Sequence, residues 1–296
     1  MDLHLDQLRT FNTVIAEGTF ESAAAALRIT PSAVSQRIKG LEVSVGRVLL
    51  ERSKPVRPTE SGEIVLRLAR QLTLLEDDAL AALGAEGDSL GGQPLPIVVN
   101  ADSLNTWVLP VLARVAAAQD ICFEIIREDQ DHSTGLLRSG AAMAAITSVS
   151  EPVQGCLVRR LGRMRYRAMA SPALLARRFP DGASVDALAV APMVCYDRLD
   201  RLQERYLQRR TGRPVDPPRH YVPAAADYVE AIRLGMGWGM LPAAQSQSLE
   251  RAGELVELGG GTTVDVVLYW QQWKLRSPRL EALAEAVMSA AADQLG

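Results

Sequence analysis

The stretch that decides the fold reads Phe20-Glu-Ser-Ala-Ala-Ala-Ala-Leu27, then Arg28-Ile-Thr30, then Pro31-Ser-Ala-Val-Ser-Gln-Arg-Ile-Lys-Gly-Leu-Glu42. It predicts two short helices that are joined by a tight turn. The hydroxyl of Thr30 can cap the second helix, and Pro31 suits the first helical position, where no amide hydrogen is needed. This arrangement is typical of a helix-turn-helix, which directs attention to nucleic acid rather than to catalysis.

The second of these helices has two faces with different chemistry. Apolar residues recur at spacings of four, three and four, which predicts a core-facing stripe of Val34, Ile38, Leu41 and Val45. Another face carries side chains that can reach base edges and phosphates in a major groove, namely Ser32, Ser35, Gln36 and Lys39. Arg37 lies between the faces, where it could contact a phosphate. Taken alone, this helix also fits an ordinary amphipathic surface helix with a solvated polar face.

The residues around these helices favour DNA binding. A preceding helix would bury Leu8, Phe11 and Ile15, and the small side chains of residues 23–26 allow close helix packing. Downstream, Pro55 and Pro58 resist helix formation and predict a β-turn wing. Three basic residues would stand on this wing, suited to phosphates or to the minor groove: Arg52, Lys54 and Arg57.

Charge is unevenly distributed along the chain. Residues 28–57 contain seven basic residues and two acidic ones, which gives a local net charge of +5. The whole chain carries −3, so the remainder carries −8. A basic patch on an acidic protein is typical of a localised DNA-binding module, because the phosphate backbone attracts cations.

This segment resembles the winged helix-turn-helix of LysR-type transcriptional regulators. The residues that match are Leu8, Phe11, Phe20, Ala23, Ala24, Leu27, Ser32, Val34, Ser35, Ile38, Leu41, Glu42, Gly46, Leu49, Arg52, Pro58, Thr59 and Gly62. Leu50 stands where the family usually has phenylalanine, a mild apolar exchange. Further along, Asn100-Ala-Asp-Ser-Leu-Asn-Thr-Trp-Val-Leu-Pro110 and Leu268-Tyr-Trp270 are similar to the arginine- and lysine-responsive LysG/ArgP branch, so the resemblance covers essentially the whole chain.

The resemblance implies a mixed fold. An N-terminal winged helix-turn-helix that is mainly α-helical would be followed by a long linker helix. An α/β effector module like the periplasmic binding proteins, built of two subdomains, would come last. The implied boundaries are 1–60 for DNA binding, 61–84 for the linker, 85–94 for a hinge, 95–163 with 264–296 for subdomain I, and 164–263 for subdomain II.

The resemblance also implies the function. Lysine or arginine would act as the effector, and the target would be a gene for the export of basic amino acids. The family's regulators form homodimers, usually assemble to tetramers, bend double-stranded DNA and contact RNA polymerase. No cofactor is implied.

Residues 61–84 predict one long helix. Its apolar residues repeat at threes and fours like a coiled-coil seam: Ile64, Leu68, Leu72, Leu75, Ala79 and Leu83. We interpret the seam as a dimerisation surface, with packing on the chain itself as the alternative. The glycines and prolines of residues 84–96 then predict a flexible hinge.

Beyond residue 95, the pattern alternates between strands and helices. Strands are predicted at 95–100, 121–127, 142–147, 156–161, 165–170, 192–196, 219–223, 237–241 and 264–271. Helices are predicted at 104–118, 132–139, 172–178, 199–211, 226–235, 243–251 and 278–294. Such alternation favours an α/β module with mainly parallel sheets, which two crossings near 162–165 and 262–266 would divide.

In open α/β sheets, ligands bind beyond the carboxyl ends of strands and at helix N-termini. Residues at such positions predict the effector site: Asn100, Asp102, Ser103, Glu128, Asp129, Thr147, Asp197 and Asp227. These acids suit a ligand with two cationic groups, as lysine and arginine have. Asp102, Ser103 and Asp227 also fit helix caps, and Asp129 and Asp200 also fit solvated loop charges.

Other classes of function find little support in the sequence. No apolar run is long enough for a membrane span, and the N-terminus lacks the pattern of a signal peptide. The separate cysteines Cys122, Cys156 and Cys195 suggest neither disulfides nor zinc, and they fit a reducing cytoplasm. No catalytic constellation or metal site is apparent, so we expect a protein that is not an enzyme.

Three rival interpretations stay open at this point. One is a LysR-type regulator of a different metabolite. Another is a nucleoid or replication-origin binder without an effector. The third is a small-molecule-binding protein or enzyme that uses the α/β module alone.

Overall fold

The computed structural model describes residues 3–51, 53–83, 94–127, 133–259 and 261–296. Its N-terminal region contains α1 (Leu5–Glu17), α2 (Phe20–Leu27), α3 (Pro31–Val45), β1 (Leu50–Glu51), β2 (Arg57–Pro58) and α4 (Glu60–Ala82). The Thr19 hydroxyl caps α2 by accepting from the amide of Ser22 at 3.1 Å. The predicted cap of α3 is confirmed, since the Thr30 hydroxyl accepts from the amide of Ala33 at 3.2 Å.

The core of this region is made by the predicted stripes. Val34, Ile38 and Leu41 of α3 are buried with Leu8 and Phe11 of α1, together with the alanines of α2. Val65, Leu66 and Ala69 of α4 join the same cluster. Burial of this apolar surface, at roughly 25 cal/mol per Å², is what holds the three helices around α3 in place.

The predicted wing is the antiparallel pair β1–β2, in which Leu50 faces Pro58 and Glu51 faces Arg57. Thr59 anchors it, since its hydroxyl donates to the carbonyl of Val48 at 2.8 Å and accepts from the amide of Gly62 at 3.0 Å. A Cβ at Gly62 would lie 2.1 Å from the carbonyl oxygen of Leu49. The close approach of wing and helix therefore requires glycine at this position.

Helix α4 contacts more than the DNA-binding core. The Arg67 guanidinium stacks over the ring of Trp273 at 5.3 Å and donates to the carbonyl of Arg138 at 3.0 Å. Arg279, only 13% exposed, pairs with Asp78 and donates to the carbonyl of Leu74 at 3.1 Å. One side of the linker thus packs on its own chain. Part of the predicted seam stays exposed, including Ile64, Leu68 and Leu83.

The rest of the chain contains β3 (Leu95–Val99), α5 (Ala101–Ser103), a π-helical turn (Leu104–Val108), α6 (Leu109–Gln119), β4 (Phe123–Arg127), α7 (Ser133–Ser139), β5 (Ala144–Thr147), β6 (Cys156–Ala170), α8 (Pro172–Arg178), α9 (Val185–Val190), β7 (Met193–Cys195), α10 (Leu202–Thr211), β8 (Arg219–Tyr221), α11 (Ala225–Arg233), β9 (Gly239–Pro242), α12 (Ala243–Arg251), β10 (Val256–Glu257), β11 (Thr263–Trp273) and α13 (Pro278–Gln294).

The chain divides into two compact units. The first comprises Met1–Val99, Leu112–Arg159 and Trp270–Ala286, and the second comprises Asn100–Val111, Arg160–Tyr269 and Val287–Gly296. In the first unit β3 pairs in parallel with β4 and with β5. In the second unit β7 pairs in parallel with β8, while β6 pairs antiparallel with β9 and with β10.

The expectation of mainly parallel sheets is therefore only partly right. Where a helix connects two paired strands, as α6 does between β3 and β4, the pairing is parallel, but β6 takes two antiparallel neighbours. Residues 156–161 and 165–170 form one continuous strand rather than two, and within it Gly162 adopts φ +152°, a conformation that favours glycine. Helix α9 and strand β10 escaped prediction, since both are too short to show a period.

The segment boundaries given above stay predictions. The hinge predicted at 85–94 falls almost wholly outside the described residues. Strands β6 and β11 each contribute residues to both units. The two predicted crossings near 162–165 and 262–266 stay predictions.

Candidate DNA-binding face and effector site

The polar face of α3 lies on the surface, as predicted. Ser32, Ser35, Gln36 and Lys39 are exposed, whereas the stripe of Val34, Ile38 and Leu41 is buried. Because both sets sit on one capped helix, the buried stripe fixes the direction in which the polar face points. Helix α3 can therefore present this face to a groove of DNA without rearrangement.

A groove of about 1010 Å³ opens beside this face. It is lined by the start of α2, the first half of α3 and the wing: Gly18, Thr19, Phe20, Glu21, Pro31, Ser32, Ser35, Ile38, Lys39, Glu42, Val48, Leu50, Ser53, Lys54 and Val56. Glu42 stabilises the start of the wing, since its carboxylate accepts a hydrogen bond from the amide of Leu49 at 2.9 Å.

The basic residues of this region differ in their partners. Lys39, Lys54 and Arg57 are exposed, and in the part of the chain that the structure describes they form no ion pair. Arg37 instead points back to α1, where it donates to the Thr10 hydroxyl at 3.3 Å and to the Asp6 carboxylate at 3.4 Å. Its predicted phosphate contact would compete with these bonds. Arg52 lies outside the described residues.

The second unit contains a cluster of acids and tyrosines. The Tyr166 hydroxyl of β6 donates to the carboxylate of Asp102 at 2.6 Å. Tyr166 is buried and Asp102 partly so. Asp102 lies within the helical segment after Asn100, and Asn100, the N-cap, makes no side-chain cap bond. The Asp102 side chain therefore does not serve as a helix cap, which was the alternative that the sequence left open.

Asp200 is the second acid of this cluster. Its carboxylate accepts from the backbone amides of Tyr196 and Leu202 and from the side-chain amide of Gln203, each at 3.0 Å. Gln203 is fully buried, and its amide also lies 2.9 Å from the Tyr228 hydroxyl. Every donor that the described residues offer to Asp102 and Asp200 is neutral, and neither acid forms an ion pair among those residues.

Burial dominates the electrostatics of the cluster. It raises the pKa of Asp102 to about 6; the hydrogen bond from Tyr166 opposes this rise, and the charge of Asp200 adds to it. Burial also raises the pKa of Tyr166 and that of Tyr228 well above the ordinary range, with further contributions from Asp102 and Asp200. Both phenols therefore remain protonated and act as donors.

Other predicted effector residues occupy varied positions. Asn100 and Ser103 are buried, and the Asn100 amide oxygen and the Ser103 hydroxyl have no hydrogen-bond partner within the described part. Thr147 is buried at the end of β5 in the first unit, and its hydroxyl accepts from the amide of Val149 at 3.2 Å. Two unpartnered buried polar groups beside Asp102 are a feature typical of ligand sites.

Asp197 and Asp227 are placed less favourably. The Asp197 carboxylate accepts from the amides of Leu199 and Asp200, which shapes the loop that carries Asp200. Asp227 is exposed in the first turn of α11 and does not cap it, because the N-cap is Ala224. Glu128 and Asp129 lie outside the described residues. The roles of all four stay predictions.

Sequence reasoning missed Tyr166, Gln203 and Tyr228. It placed Asp200 in a candidate ligand loop, with a solvated loop charge as the alternative, and did not name it among the effector residues. The alternation of buried and exposed residues along β6 could have pointed to Tyr166. Nothing in the sequence indicates that Gln203 and Tyr228 meet, since they are 25 residues apart on different helices.

The capped helix α3 with its exposed polar face, and the cluster of polar groups in the second unit, define a DNA-binding regulator with a separate ligand-binding part. Two family profiles match this division: "Bacterial regulatory helix-turn-helix protein, lysR family" over residues 5–63 and "LysR substrate binding domain" over residues 92–292. The chain belongs to the LysR family of transcriptional regulators.

Several relatives are similar over nearly their whole length. The "Lysine export transcriptional regulatory protein LysG" of Corynebacterium efficiens is 44% identical over 290 residues, which is 98% of this chain and 97% of that protein. The crystal structure of ArgP from Mycobacterium tuberculosis is 41% identical with a TM-score of 0.89, and 99% of each chain is covered. Full-length LysG of Corynebacterium glutamicum with bound effector Arg is 40% identical with a TM-score of 0.79, again with 99% of each covered.

Two features of other protein classes are absent from the described residues. Within the described ranges, no group of three or more histidine, cysteine or acidic residues is arranged to hold a metal ion. Nor does any helix of the described part have the length and apolar character to cross a membrane.

Proposed function

We propose that this regulator binds lysine or arginine and, in response, controls a gene for the export of basic amino acids, acting in the cytoplasm and not as an enzyme. The observation that carries the proposal is the pair Asp102 and Asp200. Two carboxylates that only neutral donors hold are best stabilised by a cation, which a basic amino acid would supply. The relatives agree with this choice, since one is a lysine export regulator and the structure of another contains Arg as its bound effector.

The experiment is a thermal-shift titration of the full-length protein with lysine, arginine and norleucine. Norleucine has the shape of lysine without its terminal ammonium, so a buried carboxylate would be left without its cation, at a cost of about 1–3 kcal/mol. Lysine and arginine should therefore stabilise the protein, and norleucine much less. If norleucine stabilised it as well as lysine does, the effector would have to be sought among other metabolites.

Variants assign the contacts. Asp102→Asn should reduce the difference in thermal stabilisation between lysine and norleucine, because it removes charge with little change of shape. Asp186→Asn is the matched control, since that carboxylate is 96% exposed on α9 and should leave the difference unchanged. The same titration of Asp197→Asn and Asp227→Asn would decide whether these two acids join the site.

For the DNA-binding part, we propose that Ser32, Ser35 and Gln36 read bases, while Lys39, Lys54 and Arg57 contact phosphates. Their exposure around one groove supports this assignment. Footprints of the promoter region with and without lysine and arginine test it. A footprint that changes with the effector is expected, whereas one that ignores every effector would favour a nucleoid or replication-origin binder.

We further propose that the exposed seam of α4 forms the homodimer, which would assemble to a tetramer and contact RNA polymerase. Ile64 is 58% exposed and Leu83 is 81% exposed, which is unusual for large apolar residues on one helix. Leu68→Asp should yield monomers with unchanged secondary structure in sedimentation experiments, because a buried, unpaired carboxylate is costly. Glu63→Gln, on the exposed part of α4, is the control. An unchanged dimer would contradict the proposal.

A further inference from the structure

Among the described residues, the hydrogen bonds to the two carboxylates of the second unit come from neutral donors. Tyr166 holds Asp102 from β6, and backbone amides with Gln203 hold Asp200 from the start of α10. Neutral hydrogen bonds stabilise a buried carboxylate, but they do not cancel its charge. Two such carboxylates that interact with each other therefore leave the cluster with an unbalanced negative charge.

The titratable groups that face Asp102 come from three elements. Tyr166 comes from β6, Asp200 from the loop before α10, and Tyr228 from α11, with the Cys195 thiol of β7 next to Tyr228. Burial raises the pKa of the Cys195 thiol to about 12, so this group stays neutral, as both phenols do. In the absence of a ligand, Asp102 is thus the group of this cluster that takes up a proton near neutral pH.

Burial shifts the proton uptake of Asp102 toward neutral pH. Because the pKa of Asp102 is raised to about 6, a small fall in pH protonates a large share of the molecules. A cation bound at the same carboxylate would have the opposite effect, because it stabilises the charged form and lowers the pKa. Proton and cation therefore compete for one group.

We infer that effector binding is linked to proton release: the cationic group of a basic amino acid takes the place of a proton on the buried Asp102 carboxyl, and that proton leaves to solvent. The charge of the cluster is then balanced by the ligand instead of the proton. This inference rests on the proposed function, and it adds that the regulator responds to pH as well as to its effector. Linkage makes the effect reciprocal, so the bound effector also suppresses protonation.

Calorimetric titration of the full-length protein with arginine between pH 5 and pH 7.5 tests the inference. Arginine keeps its charge over this range, so a change in affinity must come from the protein. Affinity should be about tenfold lower at pH 5 than at pH 7, as expected when a group with a pKa near 6 must lose its proton. In two buffers of different ionisation enthalpy, the binding heat at pH 6 should differ by the release of about half a proton.

Two variants identify the group. Tyr166→Phe removes the hydrogen bond that favours the ionised form of Asp102, so the pH midpoint of the affinity should move upward. A purely structural role of Tyr166 would weaken binding without moving this midpoint. His220→Asn is the control, because it removes an exposed histidine of β8 and should leave the midpoint unchanged.

The outcomes separate this inference from the proposed function. Arginine that binds with constant affinity and equal heats in both buffers from pH 5 to pH 7.5 would overturn proton linkage while leaving the effector in place. A pH dependence that disappears in His220→Asn would overturn the assignment to the carboxylates. If neither arginine nor lysine bound at any pH, the proposed function itself would fail.

Discussion

The DNA-reading face of α3 and the carboxylate cluster of the second unit are organised in opposite ways. On α3, polar and basic side chains project from one helix into solvent, and Lys39 forms no ion pair among the described residues. In the second unit, Asp102 and Asp200 come from segments far apart in sequence, and each is partly buried and held by hydrogen bonds. An exposed site can attract a highly charged partner from a distance, whereas a buried site can tell small ligands apart.

The largest effect on the carboxylate cluster is expected from Asp200→Ala. It removes the acceptor of two backbone amides, and each buried donor left unpaired costs about 1–3 kcal/mol. We expect the free energy of unfolding to fall by about 3 kcal/mol or more in urea denaturation. Asp227→Ala, an exposed acid in the same unit, should change it by less than about 0.5 kcal/mol. Equal losses of unfolding free energy in the two variants would show that the hydrogen-bonded Asp200 contributes no more to stability than the exposed Asp227.

A second test uses pH. Because folding raises the pKa of Asp102 from its ordinary value to about 6, the folded chain holds this proton more tightly than the unfolded chain does. The stabilisation is therefore present at low pH and is lost as the pH rises through 6. Relative to Asp102→Asn, wild-type stability should fall by up to about 3 kcal/mol between pH 4 and pH 7. A pH-independent difference in urea denaturation would show that burial does not perturb this group.

The exposed side is tested by Gln36→Ala. A lost base contact costs about 1–3 kcal/mol of discrimination, so affinity for the operator should fall far more than affinity for random duplex. Fluorescence anisotropy with both duplexes at one salt concentration measures this. Equal losses for both would contradict a role of Gln36 in reading bases.

The smallest effects distinguish neighbours on α3. Lys39→Ala should reduce the salt dependence of binding by about one ion, because a phosphate contact is lost. Arg37→Ala should leave the salt dependence nearly unchanged and cost about 0.5–1 kcal/mol of stability, because its partners are Asp6 and Thr10. The reverse result would mean that Arg37 leaves α1 and binds DNA.

The sequence predicted the DNA-binding region well because the signals there are local. The Thr30 cap, the Pro31 start and the stripe of α3 lie within 16 residues, and each has a direct structural reading. Helices α12 and α13 were predicted at their observed bounds for the same reason. Local periodicity does not give the direction of strand pairing. The prediction of mainly parallel sheets was therefore wrong for β6, which pairs antiparallel with β9 and β10.

The effector cluster was predicted only in part because it depends on tertiary contacts. Asp102 was found from its place after β3, but its partner Tyr166 lies 64 residues away. Asp200 looked like an exposed loop acid, since only the folded loop turns the amides of Tyr196 and Leu202 toward it. The rule that ligands bind after strands locates a region, and burial then decides which acids within it matter.

Helix α4 has a consequence of its own. Val65, Leu66 and Ala69 belong to the DNA-binding core, while Arg67 meets Trp273 and Asp78 meets Arg279 of α13. An α-helix advances 1.5 Å and turns 100° with each residue. One residue inserted between Ala69 and Asp78 would therefore rotate Asp78 by about 100° relative to the contacts of residues 65–69. The number of residues in this helix therefore sets the angle between its two groups of contacts. A substitution keeps this angle, whereas an insertion or a deletion changes it.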